Sequence, residues 1–202
     1  MSEYVIKTTA YEPDYTTKTL QEISDYIQTI GHCTDRGTTH CYIETYTKLF
    51  EPFRHLPINL FEMGVDYGWG LSLWRKYFSK ANIYGIDNRN VLQFNTGVNV
   101  VFGDINDPSI ITNHFPNTEF DIIIDDGSHV LKDQVSAFNL YFPKLKKGGI
   151  YIIEDIQWLD TKSWSSGLIE GDVLKSLDPS VEVLDMRKVH DRWDDVLMIY
   201  RK

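Results

Sequence analysis

The chain has 202 residues, of which 42% are hydrophobic and 24% are charged, and its formal net charge at pH 7 is −9. This length suits one α/β domain with a buried core, and the acidic balance argues against a nucleic-acid partner, because binding to a phosphate backbone needs clustered Lys and Arg. The start of the chain lacks a secretory pattern, and no apolar run approaches the roughly 18 residues of a membrane span. We therefore expect a cytoplasmic protein with no membrane partner.

The N-terminal quarter of the chain predicts two helices. Leu20, Ile23 and Ile27 recur at helical spacing within residues 16–30, and Gly31 follows where a helix would end. A second helical pattern covers residues 42–53. We expect one domain over residues 1–202, in which residues 1–56 form a helical lead-in and pocket cover and residues 57–202 form the core. Two cysteines, too few for a disulfide framework, are expected to be reduced thiols.

Short apolar runs alternate with longer amphipathic stretches from residue 58 onward. The apolar runs are residues 58–65, 81–87, 99–104, 120–126 and 148–155. This β-α alternation predicts a Rossmann-like, doubly wound α/β fold with a mostly parallel, seven-stranded sheet. Residues 181–186 and 196–200 have no helix between them, so they predict a C-terminal antiparallel hairpin. Ligands of such sheets bind beyond the carboxyl ends of the strands, where the strand order reverses.

A glycine-rich turn joins the first predicted strand to its helix. Gly64, Gly68 and Gly70 lie in this turn, where the absence of a β-carbon lets the backbone approach a ligand. Asp87 ends the second strand some 20 residues later, and its carboxylate can accept both ribose hydroxyls of an adenosine. These two features also fit a nicotinamide enzyme, but the glycine spacings of four and two differ from G-x-G-x-x-G. Asp104 ends the third strand and offers either an acceptor for an adenine amino group or a helix N-cap.

The order E-x-G-x-x-x-G-x-G, then I-D, then G-D resembles the core of class I S-adenosylmethionine-dependent methyltransferases, from about residue 58 onward. The resemblance implies that Glu62 holds the methionine end of the loop, that Gly64 lies beneath the cofactor, and that Asp87 holds the ribose. Together with these, the residues expected to contact S-adenosyl-L-methionine are Glu62, Gly64, Asp66, Asp87, Asn88, Asp104 and Asp125.

Acidic residues end the fourth and fifth predicted strands, which are neighbours in this fold. Asp125 and Asp126 follow one strand, and Glu154 and Asp155 follow the other. Four carboxylates in one cleft repel each other unless a cation neutralises them. Their hard oxygen atoms favour Mg²⁺, with Mn²⁺ or Ca²⁺ as alternatives. We predict that Asp126, Glu154 and Asp155 are metal ligands; the other interpretation is that these acids cap helices in solvent.

His129 lies three residues beyond Asp126 and is predicted to face the same cleft. A neutral imidazole there can accept the proton of an acceptor hydroxyl while the metal polarises the oxygen. We therefore predict that His129 and Asp126 are catalytic.

The motifs F-D-I-I-I-D-D-G-S-H and G-G-I-Y-I-I-E-D resemble those of metal-dependent O-methyltransferases that act on sugars of macrolides and other glycosylated natural products. The resemblance implies metal binding by Asp126, Glu154 and Asp155, a general base at His129, and a glycan or glycoside acceptor with a free hydroxyl, such as a rhamnose. The oligomeric state stays open, with a homodimer as one alternative. Two alternatives remain: a catechol-type or other small-molecule O-methyltransferase, and a domain that binds the cofactor or a partner without turnover.

Two further groups of residues have alternative interpretations. Residues 34–42 resemble a T-D-K-x-x-x-H-x-Y segment of the same family, with Arg36 in place of Lys. Residues Asp35, His40 and Tyr42 either line the pocket or pack the second helix. Three tryptophans flank the predicted strand ends and either stack on a sugar ring or pack internally; they are Trp158, Trp164 and Trp193.

Overall fold

A computed structural model describes residues 14–94 and 96–202. Its elements alternate along the chain. The helices are α1 Leu20–Thr29, α2 Ile43–Phe50, α3 Trp69–Tyr77, α4 Pro108–His114, α5 Leu131–Tyr141 and α6 Glu170–Lys175. The strands are β1 Asn59–Met63, β2 Asn82–Asp87, β3 Asn99–Phe102, β4 Phe120–Asp125, β5 Leu145–Ile153, β6 Glu182–Asp185 and β7 Val196–Arg201.

The seven strands form one sheet in the order β3-β2-β1-β4-β5-β7-β6. Strands β1 to β5 pair in parallel, whereas β7 is antiparallel to both β5 and β6. This arrangement confirms the predicted Rossmann-like sheet with its C-terminal hairpin. The chain moves outward from β1 to β3 and then returns to β4, so the strand order reverses between β1 and β4.

Successive residues of the central strands face opposite sides of the sheet, and each side is covered by a separate apolar core. Ile122 and Ile124 belong to the core beneath α1, α2 and α3, whereas Ile123 belongs to the core on the α5 side. All three isoleucines are fully buried. A strand that is covered on both faces needs a continuous apolar run, which is the pattern of the sequence here.

Helix ends differ from the predicted ranges for identifiable reasons. Helix α1 begins at Leu20 because Thr19 and Glu22 form a reciprocal capping box. Helix α2 ends at Phe50, and a 3₁₀ turn over residues 51–53 contains Pro52, which cannot donate the next helical hydrogen bond.

Both cysteines are free thiols. Among the described residues, no helix has the length and hydrophobicity needed to cross a bilayer.

Candidate active site

A cavity of about 600 Å³ opens at the carboxyl ends of β1, β2 and β4, where the strand order reverses. This is the position at which parallel α/β sheets bind their ligands. Every cofactor residue predicted from the sequence lines the cavity; these residues are Glu62, Gly64, Asp66, Asp87, Asn88, Asp104 and Asp125. Asp126 and His129 line it as well.

The glycine-rich turn brings β1 into close contact with the loop after β4. Gly64 has a φ of 80°, and a β-carbon there would collide with the backbone carbonyl of Asp126. Gly68 has a φ of 89° and immediately precedes α3. Both positions combine left-handed backbone with little space, so glycine is required at both.

Asp87 is fixed by the turn that it faces. One of its carboxylate oxygens accepts a hydrogen bond from the amide of Asp66 at 2.7 Å, and the other accepts one from the amide of Arg89 at 2.8 Å. The side chain of Asp66 is half exposed and pairs with the Arg89 guanidinium at 3.0 Å. Hydrogen bonds from these two backbone amides hold the Asp87 carboxyl group in place at the cavity wall.

Asp104 and Asp125 occupy different environments in the cavity wall. The Asp104 carboxylate is exposed and accepts a hydrogen bond from the Asn106 amide at 2.9 Å. The N-cap of α4 is Asp107, not Asp104. Asp125 is buried, and this burial raises its pKa to about 7 even though the Gly127 amide donates to it. The exposed Asp104 is therefore free to accept from a ligand.

The loops after β4 and β5 bring Asp126, His129 and Asp155 together, as the sequence predicts. His129 Nε2 lies 3.8 Å from Asp126 Oδ1 and 3.9 Å from Asp155 Oδ2. One ligand atom from each of the three residues lies within 4.8 Å of the other two. His129 and Asp155 have φ values of 54° and 57°, a conformation that non-glycine residues rarely adopt. Left-handed backbone costs on the order of 1–3 kcal/mol per residue and concentrates at functional sites.

Glu154 is oriented differently from the other two predicted metal ligands. Its Oε1 atom accepts hydrogen bonds from Arg36 Nε at 2.8 Å and from the Tyr46 hydroxyl at 2.5 Å. The side chain is buried and does not belong to the group formed by Asp126, His129 and Asp155. In this structure the Glu154 side chain therefore binds Arg36 and Tyr46, and metal binding by Glu154 stays a prediction.

Arg36 is the central cation of the site, a role that its sequence pattern did not reveal. Its guanidinium is 2% exposed and pairs with three carboxylates: Glu62 at 3.0 Å, Asp126 at 2.7 Å and Glu154 at 2.8 Å. Burial alone would lower the pKa of Arg36, but its attraction to Glu154, Glu62 and Asp126 raises the pKa well above its ordinary value. We call Arg36 and these three acids the arginine cluster. Gly70 makes room for it, since a β-carbon there would meet both Glu62 and Arg36.

Asp126 and Glu154, two acids of the arginine cluster, still bind protons more tightly than free carboxyl groups do. Burial and repulsion by Glu154 raise the pKa of Asp126 well above its ordinary value, although Arg36 opposes this shift. Burial raises the pKa of Glu154 to about 8, and Asp155 adds to that rise against the attraction of Arg36. One guanidinium does not compensate three neighbouring acids, so the site retains a capacity for a further cation.

Two aromatic residues that precede β1, His40 and Tyr42, contact the Asp155 carboxyl group. The Tyr42 hydroxyl donates to Asp155 Oδ1 at 2.6 Å, and His40 Nε2 lies 3.4 Å from Asp155 Oδ2. Asp195, which is fully buried, contacts His40 Nδ1 at 2.5 Å. His40 and Tyr42 therefore position Asp155, whereas Asp35 lines the cavity itself.

The donor set fits a divalent cation. Asp126 and Asp155 offer carboxylate oxygens, the ligands that Mg²⁺ and Mn²⁺ prefer. The short separations among Asp126, His129 and Asp155 place their ligand atoms around one point. The glycine turn, Asp87 and Asp104 likewise fit a nucleoside at the other end of the same cavity.

No family model matches the chain. Over 137 residues it is 33% identical to 8-demethyl-8-alpha-L-rhamnosyl tetracenomycin-C 2'-O-methyltransferase of Streptomyces olivaceus, covering 63% of this chain and 36% of that protein. Over 129 residues it is 32% identical to demethylmacrocin O-methyltransferase of Streptomyces fradiae, covering 59% of this chain and 33% of that protein. The chain thus spans about a third of the length of these curated relatives.

The solved structures agree with the sequence relatives. The MycE methyltransferase of the mycinamycin biosynthetic pathway, in complex with Mg and S-adenosylhomocysteine, superposes with a TM-score of 0.71 at 25% identity. The match covers 94% of this chain and 55% of that one. The chain therefore has the fold of class I S-adenosylmethionine-dependent methyltransferases and resembles the sugar O-methyltransferases of macrolide and tetracenomycin pathways.

Proposed function

We propose that this protein is an S-adenosylmethionine-dependent, divalent-metal-dependent O-methyltransferase that acts on a sugar hydroxyl. One observation carries the proposal. Asp126, His129 and Asp155 converge within 4.8 Å at the edge of the cavity that also holds Asp87 and the glycine-rich turn. A nucleoside site and a cation-and-base site in one cleft are what methyl transfer to an alcohol requires.

The cofactor end of the cavity is formed by the glycine turn, Asp87 and Asp104. Asp87 would accept the ribose hydroxyls, and the exposed Asp104 carboxylate would accept the adenine amino group. The half-exposed Asp66, the exposed Asn88 and the buried Asp125 complete the cofactor contacts that we propose. S-adenosylmethionine, when bound, supplies a methyl group on a sulfonium that leaves as a neutral thioether.

The other end of the cavity deprotonates the acceptor. Asp126 and Asp155 would hold the cation, with Glu154 as the third proposed ligand through the oxygen that Arg36 and Tyr46 do not contact. A divalent cation, when bound, polarises the acceptor oxygen and lowers the pKa of its hydroxyl. His129 Nε2 faces the same point and takes the proton as the oxygen–methyl bond forms and the sulfur–methyl bond breaks.

A sugar acceptor is supported by the relatives, whose names describe methylation of a rhamnosyl compound in one case and of demethylmacrocin in another. The formal net charge of −9 adds a physical reason, because it disfavours an anionic acceptor. A neutral glycoside with a free hydroxyl satisfies both conditions.

The first experiment combines binding and turnover on the purified protein. S-adenosylhomocysteine is titrated by calorimetry with and without Mg²⁺, and methyl transfer to methyl α-L-rhamnoside and to catechol is assayed before and after chelation. We expect nucleoside binding, and transfer to the rhamnoside that chelation abolishes. Absence of nucleoside binding would refute the methyltransferase proposal, turnover that survives chelation would refute the metal, and transfer to catechol alone would identify a catechol-type enzyme.

The base is tested with His129→Asn, since asparagine tolerates the left-handed backbone at this position. We expect kcat to fall by a factor of about 10² to 10⁴ while the Kd for S-adenosylhomocysteine is unchanged. His114→Ala, which removes an exposed histidine of α4 outside the cavity, is the matched control. Equal kcat values for the two variants would show that His129 is not the base.

A further inference from the structure

Three tryptophans from two separate loops converge beside the candidate active site. The ring centroid of Trp158 lies 5.5 Å from that of Trp164 and 6.1 Å from that of Trp193. Trp158 is half-buried, whereas Trp164 is 93% exposed and Trp193 is 54% exposed. We call these three residues the tryptophan cluster. Exposed aromatic rings grouped in this way are enriched at binding surfaces.

The tryptophan cluster is connected to Asp155 by two short paths. Trp158 follows Asp155 by three residues, so their Cα atoms are at most about 11 Å apart. Trp193 precedes Asp194, whose carbonyl oxygen accepts a hydrogen bond at 3.2 Å from the same Tyr42 hydroxyl that donates to Asp155. The cluster therefore lies on the two loops that also carry Asp155 and Asp194.

The loop that carries Trp164 is closed by backbone hydrogen bonds although the indole is exposed. The Ser163 amide donates to the Leu168 carbonyl at 2.8 Å, and the Gly167 amide donates to the Ser163 carbonyl at 2.9 Å. Ser163 itself is 2% exposed. A ring presented by such a closed loop loses little conformational freedom when a ligand covers it, which favours binding.

We propose that the tryptophan cluster binds the apolar ring system attached to the sugar that is methylated. This inference rests on the proposed function, because the reacting hydroxyl must lie at His129. None of the three indoles lines the cavity that holds His129 and the cofactor residues, as far as the described residues define it. The part of the acceptor that reaches the cluster is therefore the part beyond the reacting sugar, and flat apolar rings are the partners that exposed indoles stack on.

The test compares two acceptors that share a sugar and differ in the attached group: phenyl α-L-rhamnoside and methyl α-L-rhamnoside. Trp164→Ala should raise KM for the phenyl glycoside about three- to tenfold, as expected for one lost aromatic contact, and leave KM for the methyl glycoside unchanged. Trp164→Phe should restore most of the difference. Leu168→Ala, which removes a 50% exposed apolar side chain from the same loop, is the matched control.

A binding measurement separates failure of this inference from failure of the proposed function. The phenyl glycoside is titrated into protein saturated with S-adenosylhomocysteine and Mg²⁺, and tryptophan emission is followed. We expect a shift to shorter wavelength that Trp164→Ala weakens, even if no methyl transfer occurs. No shift in the unmodified protein, or equal KM changes for both glycosides, would overturn the inference. A lower mass in light scattering on Trp164→Ala would instead assign the cluster to contact between two copies of the chain and also overturn it.

Discussion

Replacing Arg36 with methionine tests the charge balance of the site most directly. The substitution keeps a long side chain and removes the cation that lies within 3.0 Å of Glu62, Asp126 and Glu154. Removing one partner of a buried ion pair costs about 3–5 kcal/mol, because the remaining charges are left uncompensated. Near its midpoint, a domain of this size loses about 2–4 °C in Tm per kcal/mol, so we expect a fall in Tm of roughly 6–20 °C.

The assay is thermal and urea unfolding with chelator present, repeated with Mg²⁺. The control is Arg201→Met, which removes a half-exposed pair with Glu182 at 2.8 Å; such surface pairs contribute about 0–1 kcal/mol. Mg²⁺ should restore part of the Tm lost in Arg36→Met, since the bound Mg²⁺ then neutralises Asp126 in place of the guanidinium. If Arg36→Met costs no more than the control, the buried acids are protonated without it, and our account of the arginine cluster is wrong.

Three further predictions concern glycine, pH and cofactor affinity. Gly64→Ala should prevent S-adenosylhomocysteine binding and should lower Tm more than Gly31→Ala does. Both positions have a positive φ, but only at Gly64 would a β-carbon meet the Asp126 carbonyl. Equal losses of Tm in the two variants would show that this close contact is not what requires glycine. Between pH 5 and 8 the folded protein keeps the Glu154 proton that the unfolded chain releases, since the pKa of Glu154 is raised to about 8 by burial. The free energy of unfolding in chelator should therefore fall as pH rises through this range, and Glu154→Gln should flatten the slope; a slope unchanged in the variant contradicts the assignment. Asp87→Asn should raise the Kd for S-adenosylhomocysteine ~10-fold or more in calorimetry, since one charge-assisted hydrogen bond contributes about 1.5–3 kcal/mol, and an unchanged Kd would exclude a ribose contact.

The sheet and one half of the site were predictable because they depend on local patterns. Five apolar runs, four of which end in aspartate, specify parallel strands, and the carboxyl ends of neighbouring strands meet. The convergence of Asp126, His129 and Asp155 follows from that rule. The positive φ values of His129 and Asp155 do not follow from it, because histidine and aspartate, unlike glycine, do not predict a left-handed backbone from the sequence.

The role of Arg36 could not be predicted, because it depends on contacts between distant parts of the chain. Its guanidinium meets Glu154 across 118 residues of sequence and Asp126 across 90. Helical periodicity places Arg36 near the second helix but says nothing about which sheet edge that helix covers. The same holds for Tyr46, which looks like a core residue of α2 and whose hydroxyl also donates to Glu154.

These long-range contacts limit how the chain can be recombined with related enzymes. Arg36, His40, Tyr42 and Tyr46 all come from the stretch before β1, yet each contacts an acid that lies after β4. A chimera that takes its first 56 residues from another methyltransferase must therefore keep these four side chains. Otherwise, the acids that they contact must be exchanged together with them. The two parts of the chain are exchangeable only as a matched pair.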